Sequence, residues 1–171
     1  MAWGVRACTP RHCARLRDLV REWVTLEPGP EPERELPSEE ALCRELLEGQ
    51  PPPVVLVAVG PPPGEALGGF AVASWGFSTW RGPDLRLGEL WVPPPLRGQG
   101  IEELLLRKVA QVAVAGGGSQ LRVEAPGPWT PPLPPPPGVT DLARAEGWRP
   151  VTFGGAAMAR LGGTHPPGGA P

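Results

Sequence analysis

Proline clusters set the strongest limit on what this chain can fold into. They stand at 51–53, 61–63, 93–95 and 131–137, and no α-helix runs through such a cluster because proline lacks the backbone donor and clashes with the preceding turn. Although 27 prolines and 24 glycines fill 51 of the 171 positions, 40% of residues are hydrophobic and stand mainly between the clusters. The sequence therefore predicts one compact domain whose elements are separated by stiff loops.

Hydrophobic spacing predicts three helices in these intervals. Apolar residues recur at steps of three and four over 10–24 and over 101–115, which is the pattern of an amphipathic helix. Thr9 and Pro10 are suited to open the first of these helices. Ser38 is suited to cap a further helix that runs to about Leu47.

Aliphatic and β-branched runs predict the strands. They cover 3–7, 54–59, 67–77, 85–92 and 120–124. The middle three are expected to pair antiparallel, and residues 141–153 are expected to add one or two strands. The order of elements predicts an α/β fold. Its sheet is mixed, as in α+β proteins, and helices lie on its faces.

Composition excludes several classes of function. The formal net charge is −2, so no strong field would capture a nucleic acid or an anionic membrane, and no apolar run is long enough to span a bilayer. With only Cys8, Cys13 and Cys43, two histidines and no Cys-x-x-Cys pair, neither a metal site nor a disulfide scaffold is expected. His12 is expected to be solvated. A cytoplasmic protein in a reducing compartment is the prediction.

The segment after the strand at 85–92 carries the clearest chemical signal. Arg97-Gly98-Gln99-Gly100 leads directly into the helix at 101–115, so several backbone amides at a helix N-terminus are free to bind an anion such as phosphate. Glycines leave room for a phosphate to approach, and Arg97 adds positive charge. The same pattern also suits an ordinary turn, and on the pattern alone both readings stand.

This loop resembles the acetyl-CoA pyrophosphate loop of the GNAT acetyltransferases. Within that superfamily, three further blocks resemble the diamine (spermidine/spermine) acetyltransferase family, and in particular its thialysine-acetylating branch. They are Phe-Ser-Thr-Trp-Arg-Gly at 77–82, Lys-Val-Ala-Gln-Val-Ala at 108–113 and Asp-Leu-Ala-Arg-Ala-Glu-Gly-Trp at 141–148. The resemblance covers about residues 3–161, and the last block is more specific than the glycine loop.

The resemblance implies a GNAT acyl-CoA N-acyltransferase domain over 1–161, acting as a homodimer. Such an enzyme transfers acetyl from acetyl-CoA directly to a primary amine of a small polyamine or thialysine-like substrate. By the same resemblance, residues at two places hold the cosubstrate: Leu90, Trp91 and Val92 on the strand, and Arg97, Gly98, Gln99, Gly100, Ile101, Glu102 and Glu103 in the loop and helix. Glu27, Trp80 and Glu146 are the residues expected to hold the amine end.

Three positions depart from the family pattern. The family has its general base in a Leu-Glu-Asp block, where this chain has Gly88 followed by Glu89. Glu89 is therefore the candidate catalytic residue, but neighbouring strand residues point to opposite faces, so it needs a bulge or a bridging water to act. Glu102 stands where the family has Gly or Ala and places a carboxylate near the pyrophosphate. The family's Tyr acid would fall in the proline-rich segment. Reduced efficiency follows, and Gly88→Glu is expected to raise turnover.

The proline-rich segment supports a second class of function. Residues 125–138 replace a helix by an irregular segment, and the run at 131–137 is suited to polyproline II structure. Such a run docks into SH3, WW or EVH1 modules. The alternative to an active enzyme is therefore a pseudoenzyme that binds CoA or such a partner. The tail at 162–171 is expected to be disordered.

Overall fold

The structure is a computed structural model that describes residues 2–27, 35–124 and 138–163. The chain divides into two compact units, Met1–Pro134 and Pro135–Pro171. The predictions for the proline-rich run, and for the tail beyond residue 163, lie outside the described residues.

The first unit contains a five-stranded sheet in the order β1-β2-β3-β4-β5. The strands are β1 (Gly4–Ala7), β2 (Val54–Val59), β3 (Leu67–Ser78), β4 (Gly82–Trp91) and β5 (Gln120–Val123). Pairing is antiparallel from β1 to β4 and parallel between β4 and β5. The mixed sheet and its three antiparallel middle strands are thus confirmed.

Three helices accompany the sheet. They are α1 (Cys13–Leu26), α2 (Glu39–Glu48) and α3 (Ile101–Ala115), with short 3-10 turns before α1 and after β4. Ser38 caps α2 as predicted, because its Oγ accepts a hydrogen bond from the Ala41 N–H at 3.1 Å. The predicted bounds of α3 are confirmed. None of the helices described is long and apolar enough to cross a bilayer.

Each face of the sheet carries its own apolar core. Strand β2 shows the division, because Leu56 and Ala58 belong to the core beneath α3 while Val55, Val57 and Val59 belong to the core beneath α1. A central strand covered on both faces has no solvated side, which explains why its sequence is an unbroken aliphatic run rather than an alternating one.

The second unit is helical where strands were predicted. It contains α4 (Leu142–Glu146) and α5 (Gly155–Leu161), and the prediction of strands over 141–153 is wrong. Asp141 caps α4 by accepting the Arg144 N–H at 3.1 Å, and Gly147 ends it in the left-handed region at φ 74°. Capping residues at both ends and helix-forming residues between them explain α4, whereas residues 147–154 form neither a helix nor a strand. The sheet of the described residues therefore has five strands, without the one or two that were expected over 141–153.

Two predictions near the start of α1 are also wrong. Cys13 on α1 and Cys43 on α2 form a disulfide with 5.6 Å between their Cα atoms, although no cysteine pair was expected. The two cysteines are 30 residues apart in the sequence, so the packing of their helices side by side could not be inferred from local spacing. His12 is buried, and its Nδ1 accepts the Thr9 N–H at 2.9 Å. Desolvation, with a smaller effect of Arg11, lowers the pKa of His12. Cys8 is a buried free thiol whose pKa is raised by burial.

Candidate active site

Strand β4 is paired on both sides along only half of its length. Its register with β5 runs from Asp84 to Leu87, and the Glu124 N–H donates to the Leu87 carbonyl at 3.1 Å. Beyond that point, from Glu89 to Trp91, the described residues pair it with β3 alone. Among the described residues, no strand pairs with the side of this second half that faces away from β3, so its main-chain groups could receive a ligand.

A β-bulge at Gly88 separates the two halves. Leu87 is paired with Ala73 and Glu89 with Val72, so Gly88 is an extra residue on β4. Leu87 packs in the core beneath α3, whereas Trp91 packs in the core beneath α1. The bulge therefore reverses the alternation of side chains along the strand and turns Glu89 toward α1 and α2.

Glu89 faces a cavity of about 150 Å³ between the sheet and these two helices. Apart from Glu89 and Arg17, the cavity is lined by apolar side chains: Leu16, Val20, Leu36, Pro37, Leu42, Leu46, Phe70 and Val72. Glu89 remains accessible to solvent, yet the surrounding protein desolvates its carboxyl and raises its pKa. A carboxylate with a raised pKa holds a proton more tightly than an ordinary one and is suited to act as a general base.

The turn before α3 keeps the open geometry that an anion needs. Gly98 and Gly100 adopt positive φ values of 77° and 83°, and no atom lies within 4 Å of the place where a Cβ would stand on either. The Leu104 N–H donates to the Gly100 carbonyl at 3.0 Å, which begins the helical hydrogen bonding. The amides of the preceding helical residues point out of the first turn, where the positive end of the helix dipole favours an anion. Glu103 is held by Arg107 at 2.8 Å, one turn along the helix.

Arg97 and Glu27, predicted to bind different ligands, contact each other. An Nη of Arg97 donates to Oε1 of Glu27 at 3.0 Å, and Nε of Arg97 donates to the Val92 carbonyl at 3.0 Å. The other carboxylate oxygen of Glu27 accepts the Trp23 indole N–H at 3.2 Å. These contacts tie the end of α1 to the connection between β4 and α3. The backbone amides of the turn are therefore left as the main anion donors.

The remaining predicted residues differ in how much of their side chains is exposed. Trp80 is 89% exposed at the tip of the β3–β4 hairpin, about 30 Å along β4 from Trp91 at roughly 3.3 Å per residue. Glu146 is exposed and ends α4 in the second unit. Leu90 is partly buried beneath α3 and the side chains of Trp91 and Val92 are buried, so these three residues have only main-chain groups to offer.

Sequence reasoning did not find the residues that form the cavity. Arg17 belongs to the polar positions of an amphipathic helix, and Phe70 and Val72 are ordinary strand residues, so no signal distinguishes them before the sheet and helices are assembled. Within the described ranges, no group of three or more His, Cys, Asp or Glu residues is arranged to hold a metal ion.

Relatives identify the family. No protein-family model matches the chain. A thialysine N-epsilon-acetyltransferase of Mus musculus is 34% identical over 167 residues, which are 93% of this chain and 96% of that protein. The chain belongs to this acetyltransferase family. The Bos taurus protein of the same name is 39% identical over 112 residues, which are 64% of this chain and 65% of its relative. The chain thus spans just under two thirds of the length of that relative and of the Sus scrofa one.

Solved structures show that the family fold is shared more widely. A ribosomal-protein-alanine N-acetyltransferase from Brucella melitensis biovar Abortus 2308 matches with a TM-score of 0.60 at 18% identity, over 74% of this chain and 82% of its own. AAC(6')-Iy, in complex with the bisubstrate analog CoA-S-monomethyl-acetylneamine, matches with a TM-score of 0.57 at 20% identity, over 75% and 82%. The predicted GNAT fold of this family member is thereby confirmed.

Proposed function

We propose that this protein transfers an acetyl group from acetyl-CoA to the primary amine of a small polyamine or thialysine-like molecule. The observation that carries the proposal is the bulge at Gly88. It turns Glu89 into an apolar cavity next to the half of β4 that is free of β5. Membership of the thialysine N-ε-acetyltransferase family supports the reaction type.

The residues present fit acetyl-CoA as the cosubstrate. Amides from Gly98 to Glu103 would hold the pyrophosphate, and main-chain groups of Leu90, Trp91 and Val92 would pair with the pantetheine arm, although the Val92 carbonyl also accepts from Arg97. The cosubstrate supplies an activated acetyl thioester. Glu102 is partly buried in the same helical turn, so its carboxylate opposes the pyrophosphate charge and weakens binding.

Glu89 would serve as the general base. Its carboxylate would accept a proton from the substrate ammonium. The neutral amine would then form the new C–N bond as the C–S bond breaks, and its second proton would pass to solvent. The raised pKa favours this transfer near neutral pH. The chain has no tyrosine, so the leaving sulfur would take its proton from solvent. We therefore expect turnover below that of an enzyme that has both groups.

Other parts of the assignment remain predictions. Glu27 is tied to Arg97 but is half exposed, so a substrate cation can compete for its carboxylate. Trp80 and Glu146 stay predicted contacts for the amine end. A homodimer and a cytoplasmic location are predictions as well, and the Cys13–Cys43 disulfide bears against a reducing location.

Calorimetric titration with acetyl-CoA is the first test of this function. We expect saturable binding that free CoA competes away, followed by thiol release when thialysine or another primary amine is added. Absence of binding would overturn the proposal.

A pair of variants then tests the base. Glu89→Gln should lower turnover by about 10²–10⁴-fold while leaving acetyl-CoA binding unchanged. Glu45→Gln is the matched control, because Glu45 is exposed on α2 and does not line the cavity. If the two variants turn over equally, Glu89 is not the base.

A further inference from the structure

Helix α2 and the residues just before it supply one wall of the cavity beside Glu89. Leu42 and Leu46 line the cavity from α2, and Pro37 lines it just before that helix. The opposite sides come from α1, which contributes Arg17, and from the sheet, which contributes Glu89. Displacement of α2 would therefore remove one wall and expose Glu89 further to solvent.

Few contacts hold α2 in this position. None of its residues is fully buried, although apolar residues near its C-terminal end pack against the core beneath α1. In the described part of the chain, no ion pair reaches α2 from another element. The Arg17 Nε donates to the Pro37 carbonyl at 2.7 Å, and the Cys13–Cys43 disulfide joins α2 to α1. The disulfide, as a covalent bond, is the strongest of these links.

The two cysteines of the disulfide differ in exposure. Cys13 is 1% exposed, whereas Cys43 is partly exposed. The remaining cysteine, Cys8, is buried, and burial raises the pKa of its thiol. A thiolate opens a disulfide by attacking one of the two sulfurs, so the rate depends on access to that sulfur. An external thiol therefore reaches Cys43 rather than Cys13, and Cys8 stays inert.

We infer that Cys43 is a site of thiol–disulfide exchange, and that opening the Cys13–Cys43 bond there slows acetyl transfer by releasing α2 from the cavity beside Glu89. The co-reactant is a low-molecular-weight thiol, such as glutathione. This inference rests on the proposed function and adds a means of controlling it, because the bond joins two walls of the cavity that holds the candidate base.

The exchange consists of two thiolate attacks. The thiolate of one glutathione attacks Sγ of Cys43, so that a new S–S bond forms as the bond to Cys13 breaks, and Cys13 leaves as a thiolate that takes up a proton. A second glutathione thiolate attacks the glutathione sulfur of this adduct, which releases the Cys43 thiol and forms glutathione disulfide. In total, the protein disulfide gains two electrons and two protons, and two glutathione thiols are oxidised. Excess glutathione disulfide reverses both steps.

Mass spectrometry under non-reducing conditions tests which sulfur is attacked. The oxidised full chain is mixed with reduced glutathione, and the reaction is stopped with acid at early times. We expect the glutathione adduct on Cys43 and a free thiol on Cys13, with Cys8 free of adduct throughout. An adduct mainly on Cys13, or a disulfide that does not exchange, would overturn the inference.

Hydrogen exchange tests the release of α2 without any measurement of activity. After reduction, the amides of α2 should exchange at least about tenfold faster, because the covalent link to α1 is gone. The amides of α3 serve as the internal control, since α3 packs on the other face of the sheet. Their exchange should be the same in both states.

Turnover of the oxidised and the reduced protein tests the effect on acetyl transfer. Acetylated thialysine is measured by mass spectrometry, because added glutathione would obscure thiol release. Reduction should slow its formation on the order of tenfold, since part of the base catalysis is lost. The acid limb of the pH–rate profile should also move to lower pH, because less desolvation raises the pKa of Glu89, while Arg17 remains the other charged group beside it.

Two variants separate the bond from a general effect of the reductant. Cys43→Ser has no bond to open, so it should turn over like the reduced wild type and should not respond to glutathione. Cys8→Ala is the matched control, because Cys8 is not part of the disulfide. It should respond to glutathione as the wild type does.

The outcomes distinguish this inference from the proposed function. If the oxidised and reduced proteins acetylate thialysine equally fast, or if α2 exchanges equally in both states, the inference alone is overturned. If neither form acetylates any amine, thialysine included, the proposed function fails and the inference fails with it.

Discussion

Each half of β4 carries a carboxylate that the surrounding protein desolvates, but only the one in the first half has ion-pair partners. Asp84 in the first half is fully buried and lies 3.2 Å from both Arg86 and Arg122, between strands on either side. Glu89 in the second half is also desolvated, but no described residue forms an ion pair with it. The paired carboxylate links β4 to β5 through Arg122, while desolvation raises the pKa of the unpaired one. One strand thus provides both an anchor and the candidate general base.

Removing both arginines from the first half should have the largest effect. In the double variant Arg86→Ala/Arg122→Ala, the charge of Asp84 stays buried without a partner, and we expect a loss of about 3–5 kcal/mol in the free energy of unfolding. Urea denaturation measures it. Adding Asp84→Asn should recover much of the loss, because the uncompensated charge is gone. A loss below about 1 kcal/mol would mean that the first half is not an anchor.

Glu89→Gln in the second half should increase the free energy of unfolding, by less than the double arginine variant lowers it. The folded-state pKa of Glu89 lies above its ordinary value of 4.5, so the charged carboxylate destabilises the fold. Below the ordinary pKa, Glu89 is protonated in both the folded and the unfolded state, and the penalty is absent. As pH rises through the raised pKa, the wild type loses stability that the variant keeps.

Unfolding free energies at pH 4 and pH 7 check this sign. Glu89→Gln should be the more stable protein at pH 7, and the difference should shrink at pH 4. The exposed-site variant Glu45→Gln should show no such change with pH. A stability loss at pH 7 in Glu89→Gln would mean that the Glu89 carboxylate is satisfied in the fold, as that of Asp84 is.

Changes at the bulge itself should have the smallest effect. An added Cβ at Gly88 would meet no atom within 4 Å, so Gly88→Ala should change stability by less than about 1 kcal/mol. Gly88→Glu should raise turnover by up to about tenfold, because it adds a second carboxylate beside the first. Thiol-release kinetics compare the two variants. An unchanged rate in Gly88→Glu would count against Gly88 as the position of the family's base.

Elements defined by local sequence were predictable, and contacts between elements were not. The helix at 101–115 follows from its own periodicity and from the glycines at its two ends. The orientation of Glu89 does not, because a bulge is a property of the register between two strands. Plain alternation therefore puts Glu89 on the wrong face.

The same limit applies elsewhere in the molecule. The Cys13–Cys43 disulfide and the Arg97–Glu27 ion pair join residues separated by 30 and 70 positions. No spacing rule connects them before the helices are packed against the sheet. The prediction for residues 141–153 was wrong for a different reason: Asp141 and Gly147 bound a short helix, and the apolar residues after it form no regular structure.

The Cys13–Cys43 disulfide has a consequence for the cavity beside Glu89. Arg17 lies one helical turn after Cys13 on α1, and Leu42 and Leu46 flank Cys43 on α2, so the bond joins the two helical walls of the cavity. Walls that are covalently joined are preorganised. Their spacing exists before any ligand enters, so binding of a ligand in the cavity would cost less conformational entropy than it would between two independent helices.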